Sequence, residues 1–423
     1  MSDVDQAGRA RAGRDGGPHP DSGDTQDPGD LLPGADHPPA ERLRAVRRRL
    51  EGLLGIPTTE GNEITVLRNG DEIFPAMLRA IREAEHTVDF LTYIYWTGDV
   101  ARAFAEALAE RARAGVRVRV LVDAVGGRQM PDELFEELER AGAQTERFRP
   151  PWKISPFKQN HRTHRKVLVV DEDVAFTGGV GIAEEWEGDA RNPDEFRDTQ
   201  VQVRGPAVDG LRAAFAQNWA ETGRPLSEDA DRFPEQPQVG SSTVQVVRGS
   251  ATIGWNDVET VLRVMVHAAA ERVRIATGYL SPDDDVIDLL GGAVRRGVDV
   301  DVVTPGQHTD KQATILGGNA LYDRLLDAGV RIWEFQPTMM HCKVVTVDGL
   351  VGVVGSTNLN TRSMRHDEEV MLVVLDPDVV KVLDRHFEED LTRAELIDPD
   401  RWADRSLPQK VAEKAILPIR RWM

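Results

Sequence analysis

The sequence predicts an α/β protein made of two tandem halves, each a mixed sheet flanked by helices. Apolar, strand-like segments alternate with amphipathic, helix-like segments along most of the chain. Segments of the first half recur in the second, since residues 114–120 resemble residues 296–302. One motif of His, Lys and Asp also occurs once in each half. A duplicated layer of strands and helices accounts for all three observations.

The expected elements follow in chain order. A helix is predicted over 41–54, with an apolar stripe and several arginines around it, and it either packs on the core or lies on a membrane surface. In the first half the pattern predicts strands over 88–96 and 116–124 and helices over 100–114 and 131–141. In the second half it predicts strands over 273–280 and 298–305 and helices over 284–297 and 312–329.

The 423-residue chain divides into four segments. Residues 1–40 are rich in Gly and Pro and poor in apolar side chains, so we expect them to be disordered. Residues 41–235 and 236–400 form the two halves, and 401–423 form a basic amphipathic tail that either lies in a membrane interface or docks on the domain. An insertion before the first motif is a weaker candidate for membrane contact, with Trp152, Lys153, Phe157 and Lys158.

The repeated motif is the main functional signal. The first copy contains His164, Lys166 and Asp171, and the second contains His341, Lys343 and Asp348. A turn of small residues follows each copy, namely Gly178 and Gly179 in the first and Gly355, Ser356, Thr357 and Asn358 in the second. Because alternate side chains of a strand share a face, the His and Lys of each copy point the same way.

Two such strands would bring two imidazoles and two ammonium groups to one point, which lies at the interface of the halves. This set suits a phosphodiester. The cations bind the nonbridging oxygens, one neutral imidazole attacks phosphorus, and a second, protonated imidazole gives a proton to the leaving alkoxide. We expect no metal and no other cofactor.

On these residues the chain resembles the phospholipase D superfamily, whose signature is a duplicated H-x-K-x4-D-x6-G-[GS]-x-N. The second copy matches completely, whereas the first has Gly181 in place of the usual Asn. We expect a Gly181→Asn change to be tolerated or mildly beneficial. Within the superfamily, residues 278–282, 328–337 and 355–363 are similar to bacterial cardiolipin synthases. The resemblance covers roughly residues 60–400 and implies two phospholipase D-like domains with the active site between them.

The resemblance also implies roles. His164 is the nucleophile and His341 the general acid and base, while Lys166, Lys343, Asn358, Ser356, Gly178 and Gly179 bind phosphate. An acidic residue about 30 positions after each His hydrogen-bonds the imidazole and fixes its tautomer, and Asp198 and Glu369 match that position. Asp171 and Asp348 complete the catalytic motifs, more as structural anchors than as proton carriers.

Charge and composition bear on partners and location. A net charge of −19 makes nucleic acid an unlikely partner, because nucleic-acid binders carry a basic footprint. The single cysteine, Cys342, permits no intrachain disulfide and should face away from the site. No long apolar run and no signal-peptide pattern occur. We therefore expect a cytoplasmic protein, peripheral on the inner face of the cell membrane.

The predicted function is phosphatidyl transfer between phosphatidylglycerol molecules, or other anionic phospholipids, through a phosphohistidine and with release of glycerol. Two alternatives remain open. One is a phosphodiesterase of the same superfamily that hydrolyses phospholipid or, less expectedly, nucleic acid. The other is a noncatalytic lipid-binding relative, for which the missing Asn at Gly181 is the only support.

Overall fold

The structure is a computed structural model. It describes residues 34, 36–152, 160–224, 233–250, 256–309 and 312–406, with the side chains of 312–317 left aside. Most of the segment predicted to be disordered, the tail from 407 onward, and Lys153, Phe157 and Lys158 of the insertion lie outside the described residues.

The described residues form fifteen strands and eleven α-helices, with a short 3-10 turn at Glu184–Trp186. The strands are β1 (Thr59–Arg68), β2 (Thr87–Thr92), β3 (Arg117–Asp123), β4 (Gln144–Phe148), β5 (Val167–Val170), β6 (Val174–Gly178), β7 (Thr199–Arg204), β8 (Ser242–Gly249), β9 (Arg272–Thr277), β10 (Asp299–Pro305), β11 (Arg331–Phe335), β12 (Lys343–Val347), β13 (Val351–Gly355), β14 (Glu369–Leu375) and β15 (Ala394–Leu396). The helices are α1 (Pro39–Leu54), α2 (Asn69–Glu83), α3 (Asp99–Arg113), α4 (Asp132–Arg140), α5 (Ala207–Glu221), α6 (Asp257–Ala268), α7 (Asp284–Arg295), α8 (Gln312–Asp327), α9 (Thr361–Arg365), α10 (Pro377–Leu391) and α11 (Pro399–Ala403).

The sheet shows the duplication directly. The order β7-β6-β5-β2-β3-β4 in the first half is matched by β14-β13-β12-β9-β10-β11 in the second. In the first half, β3 is parallel to its neighbours β2 and β4, and in the second half β10 is parallel to its neighbours β9 and β11. The other pairs within each half are antiparallel. The α/β class with mixed sheets is thus confirmed. The two sheets are not separate, however, because β1 and β8 pair edge to edge and join them.

Three apolar clusters hold this arrangement. One lies under α2, α3 and α4 of the first half, and one lies under α6, α7 and α8 of the second. The third contains residues of both halves, from β5 and β7 to β12 and β14, together with α5 and α10. Each Å² of apolar area removed from water stabilises the folded state by about 25 cal/mol. Because the shared cluster contains residues of both motif strands, its burial holds the two strands together.

Helix α1 belongs with the second half in the structure, although the division of the sequence placed it in the first. Val46 and Leu50 lie in the cluster under α6, and Arg42 forms a buried ion pair with Asp348. Of the two alternatives for this helix, packing on the core is the one observed. Within the described ranges, no helix is both long and apolar enough to cross a bilayer.

Candidate active site

The two motifs lie side by side across the seam between the halves. The segment before β5, which carries His164, forms a parallel bridge to the segment that leads into β14, with His164 N donating to Glu368 O at 2.8 Å. The segment before β12, which carries His341, likewise bridges to Arg197, whose carbonyl accepts from His341 N at 2.7 Å. Each motif is therefore attached to the acid-bearing segment of the opposite half.

Each histidine is hydrogen-bonded to the acid of the opposite half. Nδ1 of His341 lies 2.7 Å from Oδ2 of Asp198, and Nδ1 of His164 lies 3.1 Å from Oε1 of Glu369. The sequence interpretation, in which each acid serves the histidine that precedes it in the same half, is wrong. The reason is the seam, which places each histidine next to the acid of the other half.

Further donors hold the two carboxylates. Asp198 accepts from the Trp186 indole at 2.9 Å and from the backbone N–H of Thr199 at 2.8 Å. Glu369 accepts a hydrogen bond from the Ser356 hydroxyl. A carboxylate bound in this way accepts the Nδ1 proton of its histidine, which leaves the lone pair on Nε2 for chemistry.

Both imidazoles are buried, with 8% of His164 and 3% of His341 exposed. Burial, followed by the neighbouring lysine, lowers the pKa of each to about 4. The partner carboxylates act in the opposite direction but do not outweigh these effects. Both histidines are therefore neutral at pH 7 before substrate binds, and the protonated imidazole that the sequence interpretation requires must arise when an anion binds.

The two lysines lie close to both histidines. Lys166 Nζ donates to the His164 carbonyl at 2.9 Å, and Lys343 Nζ donates to the His341 carbonyl and lies 2.8 Å from Nδ1 of His341. Burial and the charge of Lys343 lower the pKa of Lys166 to about 7. Two ammonium groups that repel each other in a buried site favour an anion between them.

Three residues predicted to bind phosphate have other contacts. The Ser356 hydroxyl is committed to Glu369, so it supports the carboxylate that holds His164. A Cβ on Gly179 would lie 2.2 Å from Oδ1 of Asp198, and one on Gly178 would lie 2.4 Å from the Thr199 carbonyl. The two glycines leave room for the neighbouring segment of the same sheet, since Gly178 pairs with Gln200 of β7 and Gly179 lies against the Asp198 carboxylate.

The motif aspartates lie at the far end of their strands from the lysines. Asp171 accepts backbone N–H groups of Glu85, His86 and Thr87 at 2.7 to 2.8 Å. Asp348 accepts those of Ala270, Glu271 and Arg272 at 2.7 to 2.9 Å. Both contacts fit the structural anchor expected from the resemblance. Cys342 is buried in the shared cluster on the other face of its strand, and burial raises its thiol pKa to about 11.

The Asn of the second motif and the Gly of the first are not interchangeable. Asn358 is buried beside Gly278, and its Oδ1 has no hydrogen-bond partner among the described residues. A Cβ on Gly181 would lie 2.9 Å from Cβ of Ile94 and 3.1 Å from the Trp186 ring. The expected tolerance of Gly181→Asn is therefore wrong, because the neighbours leave no room for a side chain.

Sequence reasoning missed several residues around the imidazoles. Trp186 and Phe196 pack against His341, with ring centroids at 5.1 and 6.2 Å, and Tyr93 lies 5.1 Å from His164. Asp367 is buried, pairs with Arg362 at 3.1 Å, and has a pKa raised to about 7 by burial and by Glu369, against the effect of Arg362.

Comparison with known proteins adds an independent line of evidence. The family described as cardiolipin synthase, PLD-like domain, matches residues 77–187 and 262–391, and each matched segment contains one motif. Cardiolipin synthase of Geobacillus kaustophilus is 32% identical over 84% of this chain and 72% of its own length. Cardiolipin synthase A of Pseudomonas fluorescens (strain Pf-5) is also 32% identical, over 84% of this chain and 74% of its own. Phosphatidylserine synthase of Haemophilus influenzae is similar in fold, with a TM-score of 0.66 and 13% identity, over 89% of this chain and 100% of its own.

Proposed function

Because the chain belongs to the cardiolipin synthase family of phospholipase D-like phosphatidyltransferases, we propose that it transfers a phosphatidyl group between two phosphatidylglycerol molecules. The products are cardiolipin and glycerol. One observation carries the proposal: two buried imidazoles, each held by a carboxylate of the opposite half, share a site with two lysines. Attack on phosphorus and protonation of the leaving group need these two imidazoles.

In the first step, Nε2 of His164 attacks phosphorus and the bond between phosphorus and the glycerol oxygen breaks. The leaving alkoxide takes its proton from His341, and glycerol departs. In the second step, a hydroxyl of another phosphatidylglycerol gives its proton to His341 and attacks phosphorus. The bond to His164 then breaks, which restores the free enzyme. Splitting the transfer into two displacements is the usual benefit of covalent catalysis.

The charges of the site support this order of steps. A phosphodiester brings a negative charge next to Lys166, Lys343 and His341. An opposite charge at this distance favours the protonated form, so the pKa values of Lys166 and His341 rise when the substrate binds. His164 is the imidazole that stays neutral in this scheme: its Nδ1–H donates to Glu369, and its Nε2 carries no proton. Lys166, Lys343 and Asn358 are the groups that we assign to the phosphoryl oxygens.

We also propose that the protein works at the inner face of the cell membrane as a peripheral protein. Its substrate is an anionic phospholipid, and the sequence from 407 onward carries Lys410, Lys414, Arg420 and Arg421 among apolar residues. Basic amphipathic segments of this kind bind anionic lipid surfaces.

The test is product analysis with purified protein and phosphatidylglycerol dispersed in detergent. We expect cardiolipin and glycerol in equal amounts, and no product from His164→Ala. The matched control is His86→Ala, which removes an exposed histidine and should leave turnover unchanged. Phosphatidic acid as the main product would instead identify a hydrolase, in which water replaces the second lipid hydroxyl. Absence of any product from the wild-type protein would contradict the proposal.

A further inference from the structure

The two halves can be aligned residue by residue from their own hydrogen bonds. Thr92 Oγ1 donates to Ile94 O at 2.9 Å, and Thr277 Oγ1 donates to Tyr279 O at 3.2 Å. Four residues beyond each Thr, a backbone N–H binds the segment after the motif: Trp96 to Ile182 O at 2.8 Å and Ser281 to Leu359 O at 2.9 Å. This register makes Tyr93 equivalent to Gly278, and Gly181 equivalent to Asn358.

The two pairs are complementary in size. In the second half a glycine at 278 faces an asparagine at 358, whereas in the first half a tyrosine at 93 accompanies a glycine at 181. A Cβ on Gly278 would lie 3.3 Å from Asn358 Oδ1, from His341 Cδ2 and from Lys343 Nζ. A side chain at this position therefore enters the space where the amide, imidazole and ammonium groups meet. In the first half, Tyr93 is the residue at that position.

The contacts of Tyr93 agree with this placement. Its ring centroid lies 5.1 Å from that of His164, and Lys166 Nζ lies 5.5 Å from the ring centroid. Burial and the charge of Asp123 raise its phenol pKa above the ordinary value, so the hydroxyl keeps its proton at pH 7. Among the described residues, the hydroxyl has no hydrogen-bond partner.

We propose that Tyr93 is a further catalytic residue, whose hydroxyl donates a hydrogen bond to a phosphoryl oxygen in place of the amide that Gly181 lacks. The inference rests on the proposed function, because it assumes that the site binds a phosphodiester. The second half indicates why Tyr93 accompanies a glycine at 181: a Cβ on Gly278 would lie 3.3 Å from Asn358 Oδ1, so large side chains at both equivalent positions would compete for one space. The site then has two donors of different chemistry, an amide from the second half and a phenol from the first.

The test compares Tyr93→Phe with Tyr95→Phe. Tyr95 is a matched control because it lies two residues away, is buried, and donates its hydroxyl to Ala101 O at 2.7 Å, inside the core of the first half. Each variant is assayed for kcat on detergent-dispersed phosphatidylglycerol and for inhibition by vanadate, which mimics the five-coordinate phosphorus of the transition state. Loss of one preorganised donor should lower kcat about 100- to 1000-fold in Tyr93→Phe and weaken vanadate binding by a similar factor. Tyr95→Phe should lower the melting temperature and leave both quantities near those of the wild type.

Wild-type kcat and vanadate affinity in Tyr93→Phe would overturn the inference, since the ring and its contact with Lys166 remain in that variant. A fall in kcat with unchanged vanadate affinity would also contradict it, because the lost contact would not be to the phosphoryl group. These outcomes are distinct from failure of the proposed function, in which the wild-type protein itself forms no cardiolipin.

Discussion

The carboxylates that hold the two imidazoles come from the opposite halves, so the orientation of each histidine depends on a residue of the other half. Nδ1 of His164 is bound to Glu369 and Nδ1 of His341 to Asp198. Because each carboxylate leaves the Nε2 lone pair free, either histidine could in principle attack phosphorus. The surroundings differ, however. His341 packs against Trp186 and Phe196, whereas His164 lies beside Tyr93.

At the residue scale, Asn358→Ala tests the amide of the second motif. Asn358 is buried beside Lys343 and His341, which suits the proposed role of its amide as a donor to a phosphoryl oxygen. Its removal should cost about 2 to 4 kcal/mol of transition-state stabilisation, measured from kcat/KM. Asn360→Ala is the control, because that side chain caps α9 and should affect stability rather than turnover. Wild-type kcat/KM in Asn358→Ala would disprove the assigned role.

Asp367→Asn tests a charge that burial disfavours. The pKa of Asp367 is raised to about 7, whereas an unfolded Asp ionises near 3.9. The folded state thus binds more protons between these values, and stability falls as pH rises through this range. The Asn side chain does not ionise, so the free energy of unfolding of the Asn variant should exceed that of the wild type by on the order of a few kcal/mol at pH 8. At pH 4 the two proteins should differ little. Thermal unfolding at the two pH values measures this, and a difference independent of pH would contradict it.

Strand alternation explains why part of the site could be predicted from the sequence. His and Lys two positions apart share a face whatever the rest of the fold does, so the four groups of the motifs were predictable. The partners of Ser356 and Gly179, Glu369 and Asp198, belong to the start of the neighbouring strand of the sheet, and no local pattern encodes which strand is the neighbour. The same holds for Gly181, whose lack of space is set by Ile94 and Trp186.

At the scale of elements, α1 shows the same limit. Its apolar stripe predicted that one face is buried but not against which neighbour, and the structure packs it on the second half. Some boundaries were close, since the helix predicted over 100–114 is Asp99–Arg113 and the strand over 116–124 is Arg117–Asp123. The strands predicted over 88–96 and 273–280 are shorter than expected and end at Thr92 and Thr277. Hydrophobic periodicity predicts that a helix or strand forms, whereas the element against which it packs depends on contacts between distant segments.

Arg42→Ala tests the attachment of α1. Arg42 forms a buried ion pair with Asp348, and removing one member of such a pair typically costs about 3 kcal/mol or more. We expect the free energy of unfolding to fall by roughly that amount, while kcat of the folded enzyme is kept. Arg44→Ala, on the exposed side of the same helix, is the control. Equal denaturation midpoints for the wild type and Arg42→Ala would contradict the structural role of the pair.

The end of the chain needs a boundary different from the predicted one. The tail was expected to begin at 401, but residues 401–406 include part of α11 and dock on α8. The rings of Trp402 and Tyr322 are 4.9 Å apart, and Arg405 pairs with Asp323 at 2.9 Å. A truncation at 401 would remove these contacts together with any lipid-binding segment, so the informative truncation is after Ser406.

That truncation should abolish binding to anionic vesicles while turnover on detergent-dispersed substrate is kept. Sedimentation with vesicles measures binding, which should also weaken as salt rises. Arg405→Ala is the control, because it loses the contact with Asp323 but keeps the residues beyond 406. Unchanged binding after truncation would place the membrane contact elsewhere, and loss of turnover on both substrate forms would indicate a role in folding.

At the scale of the whole molecule, the duplicated sheet brings two half-sites together. The edge pairing of β1 with β8 and the apolar cluster shared by the halves fix the motif strands within hydrogen-bonding distance of the opposite acids. The halves are equivalent in backbone but not in side chains, since Tyr93 and Gly181 of the first correspond to Gly278 and Asn358 of the second. A symmetric scaffold with unequal contents can assign attack to one histidine and proton transfer to the other.

The most direct measurement of that division is to trap the intermediate. The enzyme is incubated with phosphatidylglycerol labelled at phosphorus, quenched within a single turnover, digested and analysed by mass spectrometry. We predict a phosphatidyl group on the peptide that contains His164, in the presence or absence of a metal chelator, and none in His164→Ala. Label on the His341 peptide would reverse the two roles, and cardiolipin formation without label on either histidine would contradict the covalent mechanism.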